Sequence, residues 1–196
     1  LRARFPAALI DEFQDTDPLQ YEILDRIYAD PAAALLVIGD PKQAIYSFRG
    51  ADLFTYLGAA RGVGREALTL DVSYRADPRL VSAVNRLFGR GPAPFLLEEI
   101  RYRSVAPREG AAERLATPGD THGAIELVVL GATEPAPTAA ARDVPAAAAA
   151  EVARWLRAGA TIDGAPLGAA DVAVLTRTNA EAEQVQIGRA SCRERV

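Results

Sequence analysis

Apolar positions come in blocks along this chain, and the blocks differ in kind. "FPAALID" (5–11) is a short continuous apolar run that ends in acids, and "AALLVIGD" (33–40) repeats the pattern. Runs of this kind predict strands of a parallel sheet covered on both faces. Between them, "DPLQYEILDRIYAD" carries Leu19, Ile23, Leu24 and Ile27 at helical spacing. Asp17 is a natural N-cap there, and Pro18 sits at the first helical position. "PKQAIYSFRGAD" (41–52) predicts a loop leading into a helix at "LFTYLGAA", which Gly62 and Gly64 break. A new unit is expected near residue 66. "EALTLDVSYR" (66–75) reads as a strand and "DPRLVSAVNRLFG" (77–89) as a helix with an Asp-Pro start and a Gly stop. Residues 93–123 read as irregular, "AIELVVL" (124–130) as a strand and "GATEPAPTAAARDVP" (131–145) as a linker or surface loop. "AAAAAEVARWLRAGA" (146–160) then predicts a helix and "DVAVLTRT" (171–178) a last strand. The alternation of strands and helices argues an α/β chain. No internal repeat is visible.

Composition narrows this little. The chain has 196 residues, 49% hydrophobic and 24% charged, which is a globular composition. Its net charge of −4 does not advertise nucleic-acid binding, although a local patch can bind phosphate whatever the total. A single cysteine, Cys192, excludes an internal disulfide framework and suits a reducing compartment. No segment reaches the about 18 apolar residues of a membrane helix, so a soluble, cytoplasmic protein is expected. The chain has no methionine and begins Leu1-Arg2, as expected of an internal stretch of a longer protein.

The candidate chemistry lies where apolar runs end. "DEFQDTD" (11–17) sets Asp11, Glu12, Asp15 and Asp17 at the end of the first predicted strand. Ligands of open α/β sheets bind at the carboxyl ends of strands. There an aspartate can hold Mg²⁺ and a neighbouring carboxylate can orient or deprotonate a water. The pair reads equally as a solvated strand end beside a helix cap. "GDPKQAIYSFRGAD" (39–52) ends the second run. Gln43 could donate to a terminal phosphate, and Tyr46, Phe48 and Arg49 could stack bases and grip a nucleic-acid backbone. Tyr46 and Phe48 also read as partly core. His122 reads as a surface loop residue, Trp155 as core, and "RYRSVAPRE" (101–109) as a solvated face.

"LIDEFQDTDPLQYEIL", "LVIGDPKQAIYSFRGADLFTYL" and "LTLDVSYRADPRLVSAVNRLF" resemble motifs II, III and IV of the UvrD-like superfamily 1 helicases, most of all those of the RecB type. "APFLLEEIRYRSV" and "GAPLGAADVAVLTRTNAEAE" add to the likeness, which covers nearly all of residues 5–186. The resemblance implies RecA-like (P-loop NTPase-type) parallel sheets with flanking helices, in parts of two motor domains. Residues 1–65 would be the back of the first and 66–186 the front of the second. It implies ATP and Mg²⁺ as cofactors, DNA ends as substrate, RecC- and RecD-like partner subunits, and an ATP-dependent 3′–5′ helicase in an exonuclease that processes double-strand breaks. The alternatives are a stand-alone UvrD-type or AddA-type helicase, or a degenerate, non-hydrolysing DNA-binding module. Asp11 would hold Mg²⁺ and Glu12 would be the catalytic carboxylate. Gln14 matches the motif II glutamine, and Asp15 would help hold or couple the site. Gln43 would sense the γ-phosphate, Tyr46, Phe48 and Arg49 would touch single-stranded DNA, Tyr74 would pack on adenine and Arg75 would reach the γ-phosphate.

The chain departs from the family in two ways. Motif IV, usually Asn, aromatic, Arg, Ser, is here Ser73-Tyr74-Arg75-Ala76, which puts its local hydrogen bonding in question. No G-x-x-x-x-G-K-[ST] loop occurs in these 196 residues, so the chain alone is expected not to hydrolyse ATP, and exposed sheet edges are expected to favour aggregation. Finally, "IGRASCRERV" (187–196) leaves the family pattern and resembles translated sequencing adapter, so a non-native tail is expected.

Overall fold

The computed structural model of the chain describes residues 1–29, 33–63, 68–91, 93–119, 123–129 and 137–185. They form a mixed α/β structure in two compact units: Leu1–Asp71 with Arg86–Val105, and Val72–Asn85 with Ala106–Val196.

In the first unit, β1 (Ala7–Ile10) and β2 (Ala34–Val37) pair in parallel, Ala7 opposite Ala34 and Ile10 opposite Val37. Parallel neighbours need a crossover, and α1 (Pro18–Tyr28) lies in the one between them. Its start follows from local chemistry. The Asp17 carboxylate accepts from the Gln20 amide at 2.8 Å, and Gln20 Oε1 accepts from the Asp17 amide at 3.4 Å. Such a cap contributes about 1 kcal/mol. α2 (Leu53–Val63) is capped by Asp52, whose carboxylate accepts from the amides of Phe54 and Thr55 and from the Thr55 hydroxyl. It runs through Gly62, so that glycine does not end the helix as expected, and Gly64 lies outside the described residues.

The core of this unit forms around Phe13, Leu57, Ala59 and Ile100. The Phe13 ring meets Tyr21 edge-on at 5.5 Å and Tyr56 at 5.8 Å. The sheet is not covered on both faces, contrary to the expectation from its apolar runs. Burial alternates along β1 and β2, and Leu9, Leu36 and Ile38 are exposed. Among the described residues the sheet has two strands, and only one of its faces meets packed side chains. The irregular stretch after residue 93 stacks Phe95 on Phe88 at 5.3 Å and sets Tyr102 at 5.6 Å from the same ring.

In the second unit, β3 (Val72–Ser73) pairs in parallel with β4 (Ala106–Pro107). The strand expected over 66–75 thus shrinks to two residues among those described. α3 (Pro78–Phe88), of which Pro78–Asn85 belong to this unit, forms as predicted and buries Val81. Its first turn is served from afar: the Arg79 amide donates to Glu113 Oε1 at 2.8 Å, while Asp77 Oδ2 accepts from the Arg114 amide at 3.0 Å. β5 (Leu115–Ala116), β6 (Thr161–Ile162) and β7 (Ala165–Pro166) make an antiparallel sheet in that order. Asp163 and Gly164 link the last two with φ of 51° and 79°, the left-handed pair that a two-residue hairpin favours. The Arg114 guanidinium holds the Asp163 carboxylate through Nε and Nη2.

Three further elements differ from what the sequence leads one to expect. α4 spans Pro137–Arg157, so it begins inside the stretch read as a linker and contains Pro145. Residues 124–129 form no strand, and 171–178 give only the end of a 3-10 turn (Ala169–Asp171) followed by irregular chain. The physical reason is the same for both. A β-prone run becomes a strand only against a partner, and Leu127 and Leu175 stand 87% and 96% exposed. Trp155 is half-buried in α4, with its ring N–H buried and unpaired among the described residues. His122, Cys192 and the 187–196 tail lie outside the described residues. No helix among them is long and apolar enough to cross a membrane.

Candidate functional site

Because β1 and β2 run parallel, the residues that follow them leave the same sheet edge. The ladder continues past both strands: the Ile38 amide donates to Ile10 O at 2.8 Å and the Phe13 amide to Ile38 O at 2.8 Å. Asp11 and Glu12 therefore lie beside Gly39 and Asp40. Asp11 is exposed, and its Oδ1 accepts from the Glu12 amide at 2.9 Å. Glu12 sits in the left-handed region at φ 51°, an unusual conformation for a residue with a side chain. A 3-10 turn, Phe13–Asp15, follows directly.

Gln14 joins the two strand ends. It is 2% exposed; its Nε2 donates to Glu12 Oε2 at 2.7 Å and its Oε1 accepts from the Asp40 amide at 3.1 Å. A β-carbon at position 39 would stand 2.7 Å from Gln14 Oε1 and 3.1 Å from the Phe13 nitrogen, so a side chain there would push on the Gln14 amide. The Tyr56 hydroxyl donates to Gly39 O at 3.1 Å. Burial, with the Asp40 charge second, raises the Tyr56 phenol above its ordinary range.

Asp40 organises the loop after β2. Its carboxylate accepts from the Lys42 amide at 3.0 Å and from Gln43 Nε2 at 3.3 Å, and pairs with Lys42 Nζ at 2.6 Å. Burial alone would raise this carboxyl. The hydrogen bonds from Lys42 and Gln43 and the Lys42 charge outweigh it and leave the group below its ordinary value. A lowered folded value means that the ionised group contributes stability above the ordinary carboxylate range, and that this contribution is lost as pH falls through the lowered value. The urea midpoint of the chain and that of an Asp40→Asn variant should therefore converge on acidification. A difference that stays constant with pH would contradict this.

Gln43 is exposed and tethered to Asp40. Tyr46 and Phe48 are exposed, Phe48 by 77%, with ring centroids 5.8 Å apart, so the partly-core alternative does not hold for Phe48. The Arg49 side chain lies outside the described residues. Asp15 is half-buried, and its Oδ1 is buried without a hydrogen-bond partner among the described residues. Tyr74 and Arg75, in the second unit, are exposed. Ser73, the departure in motif IV, accepts from the Ala76 amide through Oγ at 3.4 Å. Asp40, Lys42 and Tyr56 had no role in the sequence reading. The Gly-Asp that ends the second apolar run was the available signal for Asp40; nothing local pointed to Tyr56.

The donors at this edge are hard oxygens, suited to Mg²⁺, which binds one or two carboxylates with phosphate and water supplying the rest. No group of three or more metal-binding side chains exists among the described residues, so any such ion would rely on ligands of that other kind.

Comparison with known proteins agrees with the motifs. Residues 1–63 match the UvrD/REP helicase N-terminal domain. The chain is 40% identical over 196 residues to the RecBCD enzyme subunit RecB of Escherichia coli (strain K12), covering 95% of this chain and 16% of that protein. The RecB subunit of Mycobacterium tuberculosis (strain ATCC 25618 / H37Rv) is 35% identical over 198 residues, 93% of this chain and 17% of the relative. That of Chlamydia trachomatis serovar D is 50% identical over 99 residues, 49% of this chain and 10% of the relative. The chain thus spans about a sixth of the length of the curated relatives that match nearly all of it. Residues 1–63 are thus similar to the UvrD/REP helicase N-terminal domain, and the chain is a homologue of RecB subunits over most of its length.

Proposed function

We propose that this chain is a segment of the motor of a RecB-type, ATP-dependent 3′–5′ DNA helicase, within RecA-like domains of a cytoplasmic protein. The full-length protein would act on DNA ends with RecC- and RecD-like subunits, in an exonuclease of double-strand break repair. The observation that carries the reading is the position of Glu12. It stands at the carboxyl end of a parallel strand, and its Oε2 is held by a buried amide. A carboxylate held in this way can take a proton from a water aimed at a phosphate. Asp11 would hold Mg²⁺, which when bound neutralises phosphate charge. Gln43, tethered at the rim by Asp40, would donate to the γ-phosphate. Tyr74 and Arg75 are assigned to adenine and the γ-phosphate on the family resemblance, as is the polarity of movement. An arginine suits the phosphate because its charge is permanent and its fork is planar.

Phosphate release in the presence of magnesium and single-stranded DNA tests this reading. The full-length protein should turn over ATP, and the 196-residue chain, which lacks a phosphate-binding loop, should not. A full-length protein that binds DNA and hydrolyses nothing would replace the motor reading with that of a DNA-binding module.

Tyr46 and Phe48 support the DNA side, since two exposed neighbouring rings offer a stacking surface. Replacing both by Ala should weaken single-stranded DNA binding by about 1–3 kcal/mol per stacked base. Fluorescence anisotropy with a labelled oligonucleotide checks this; unchanged affinity would remove these residues from the DNA path.

A further inference from the structure

We infer that Gln14 is a positioning residue for ATP hydrolysis: its buried amide sets the Glu12 carboxylate and ties it to the loop that carries Gln43. The inference rests on the proposed reading of Glu12 and adds a residue to it.

The geometry assigns both ends of the amide. The Asp40 backbone N–H can only donate, so it must face Gln14 Oε1; the Glu12 carboxylate can only accept when ionised, so it must face Nε2. Both contacts therefore depend on one amide in one orientation. The side chain has no room to turn away, because it is 2% exposed. Phe13, on the preceding residue, anchors the turn in the core. Glu12 itself is exposed, so packing does not orient its side chain. The bond from Gln14 is its side chain's hydrogen bond among the described residues.

The second contact makes the amide a link between two loops. The Asp40 amide, held by Gln14, belongs to the residue whose carboxylate holds Gln43 and Lys42. A continuous path of hydrogen bonds thus runs from Glu12 Oε2 through Gln14 and Asp40 to Gln43. Movement of Gln43 with nucleotide state would be felt at Glu12 through this path. A carboxylate that is misplaced by even a small distance loses much of its effect on the reaction but little of its effect on binding.

The test uses the full-length protein with magnesium and single-stranded DNA. Gln14→Leu, close in volume and lacking both polar ends, should lower kcat about tenfold or more while KM for ATP stays within about threefold. An unfolded fraction would lower apparent kcat at unchanged KM, so kcat is referred to active sites counted by ATP-binding stoichiometry. Gly39→Ala disturbs the same amide from the other side and should also lower kcat. Combined with Gln14→Leu it should add almost nothing, because contacting residues do not act independently. Should Gln14→Leu fail to fold, Gly39→Ala alone decides by the same split of kcat from KM. A Glu12→Gln control separates the two ideas. Full turnover by Glu12→Gln overturns the underlying reading. Loss of turnover in Glu12→Gln, with Gln14→Leu and Gly39→Ala at the wild-type kcat, overturns the inference alone. Full additivity of the two substitutions also overturns it.

Discussion

Glu12→Gln in the full-length protein should lower ATP turnover by about 10²–10⁴-fold, the range typical for removal of a general base. The substitution keeps the shape of the side chain and removes its capacity to take a proton. The site offers no replacement by simple rearrangement. Asp11 precedes Glu12, but its Oδ1 is engaged by the Glu12 amide, and Asp15 is half-buried and turned away from solvent at Oδ1. Asp40 is occupied by Lys42 and Gln43. The variant should still bind ATP, because the lost step is chemical and not a contact with the nucleotide. Steady-state phosphate release, paired with nucleotide binding, separates these effects. Turnover within a few-fold of wild type would remove Glu12 from the chemistry.

Phe13→Ala should destabilise the first unit by about 3–5 kcal/mol, the cost of emptying a well-packed aromatic site. Phe13 is 1% exposed, and with Gln14 it is the largest fully buried side chain among the described residues. Its ring touches Tyr21 on α1 and Tyr56 on α2, so one cavity would loosen both helices. The backbone at the same residue continues the parallel ladder to Ile38. Loss of the ring would thus reach the acids on either side of it in sequence. Urea unfolding followed by tyrosine fluorescence reads the change, since Tyr21 and Tyr56 are its neighbours. A cost below about 1 kcal/mol would mean that the pocket collapses around the smaller side chain.

The two expectations differ in origin. Glu12 is visible as an acid at the end of an apolar run, and the motif around it names its role. Phe13 sits between Glu12 and Gln14 in a polar stretch, and no periodicity marks it as core. Only the pairing of β1 with β2, with α1 and α2 packed beside them, turns that ring inward. Gln14 is the same case. In sequence it is one more polar residue; in the fold it is buried, with both ends of its amide satisfied.

Local interactions are carried by neighbouring residues and so can be read in order along the chain. Asp17-Pro18 starts α1, Asp77-Pro78 precedes α3, and Asp11-Glu12 closes β1. The helices over 18–28, 53–63 and 78–88 follow from spacing and end signals of this kind, apart from the misread Gly62. Pairing between distant segments has no such signature. The runs 124–129 and 171–178 have strand-like composition and stay irregular, whereas 161–162 and 165–166 pair through a hairpin and 115–116 pairs with 161–162 from far along the chain, with little apolar patterning. The α1 cap and the candidate acids were therefore written in the sequence. The burial of Phe13, the close approach at Gly39 and the amide link from Glu12 to Asp40 were decided by tertiary structure, because each depends on a partner 17 to 43 positions away along the chain or on the sheet register that brings such partners together.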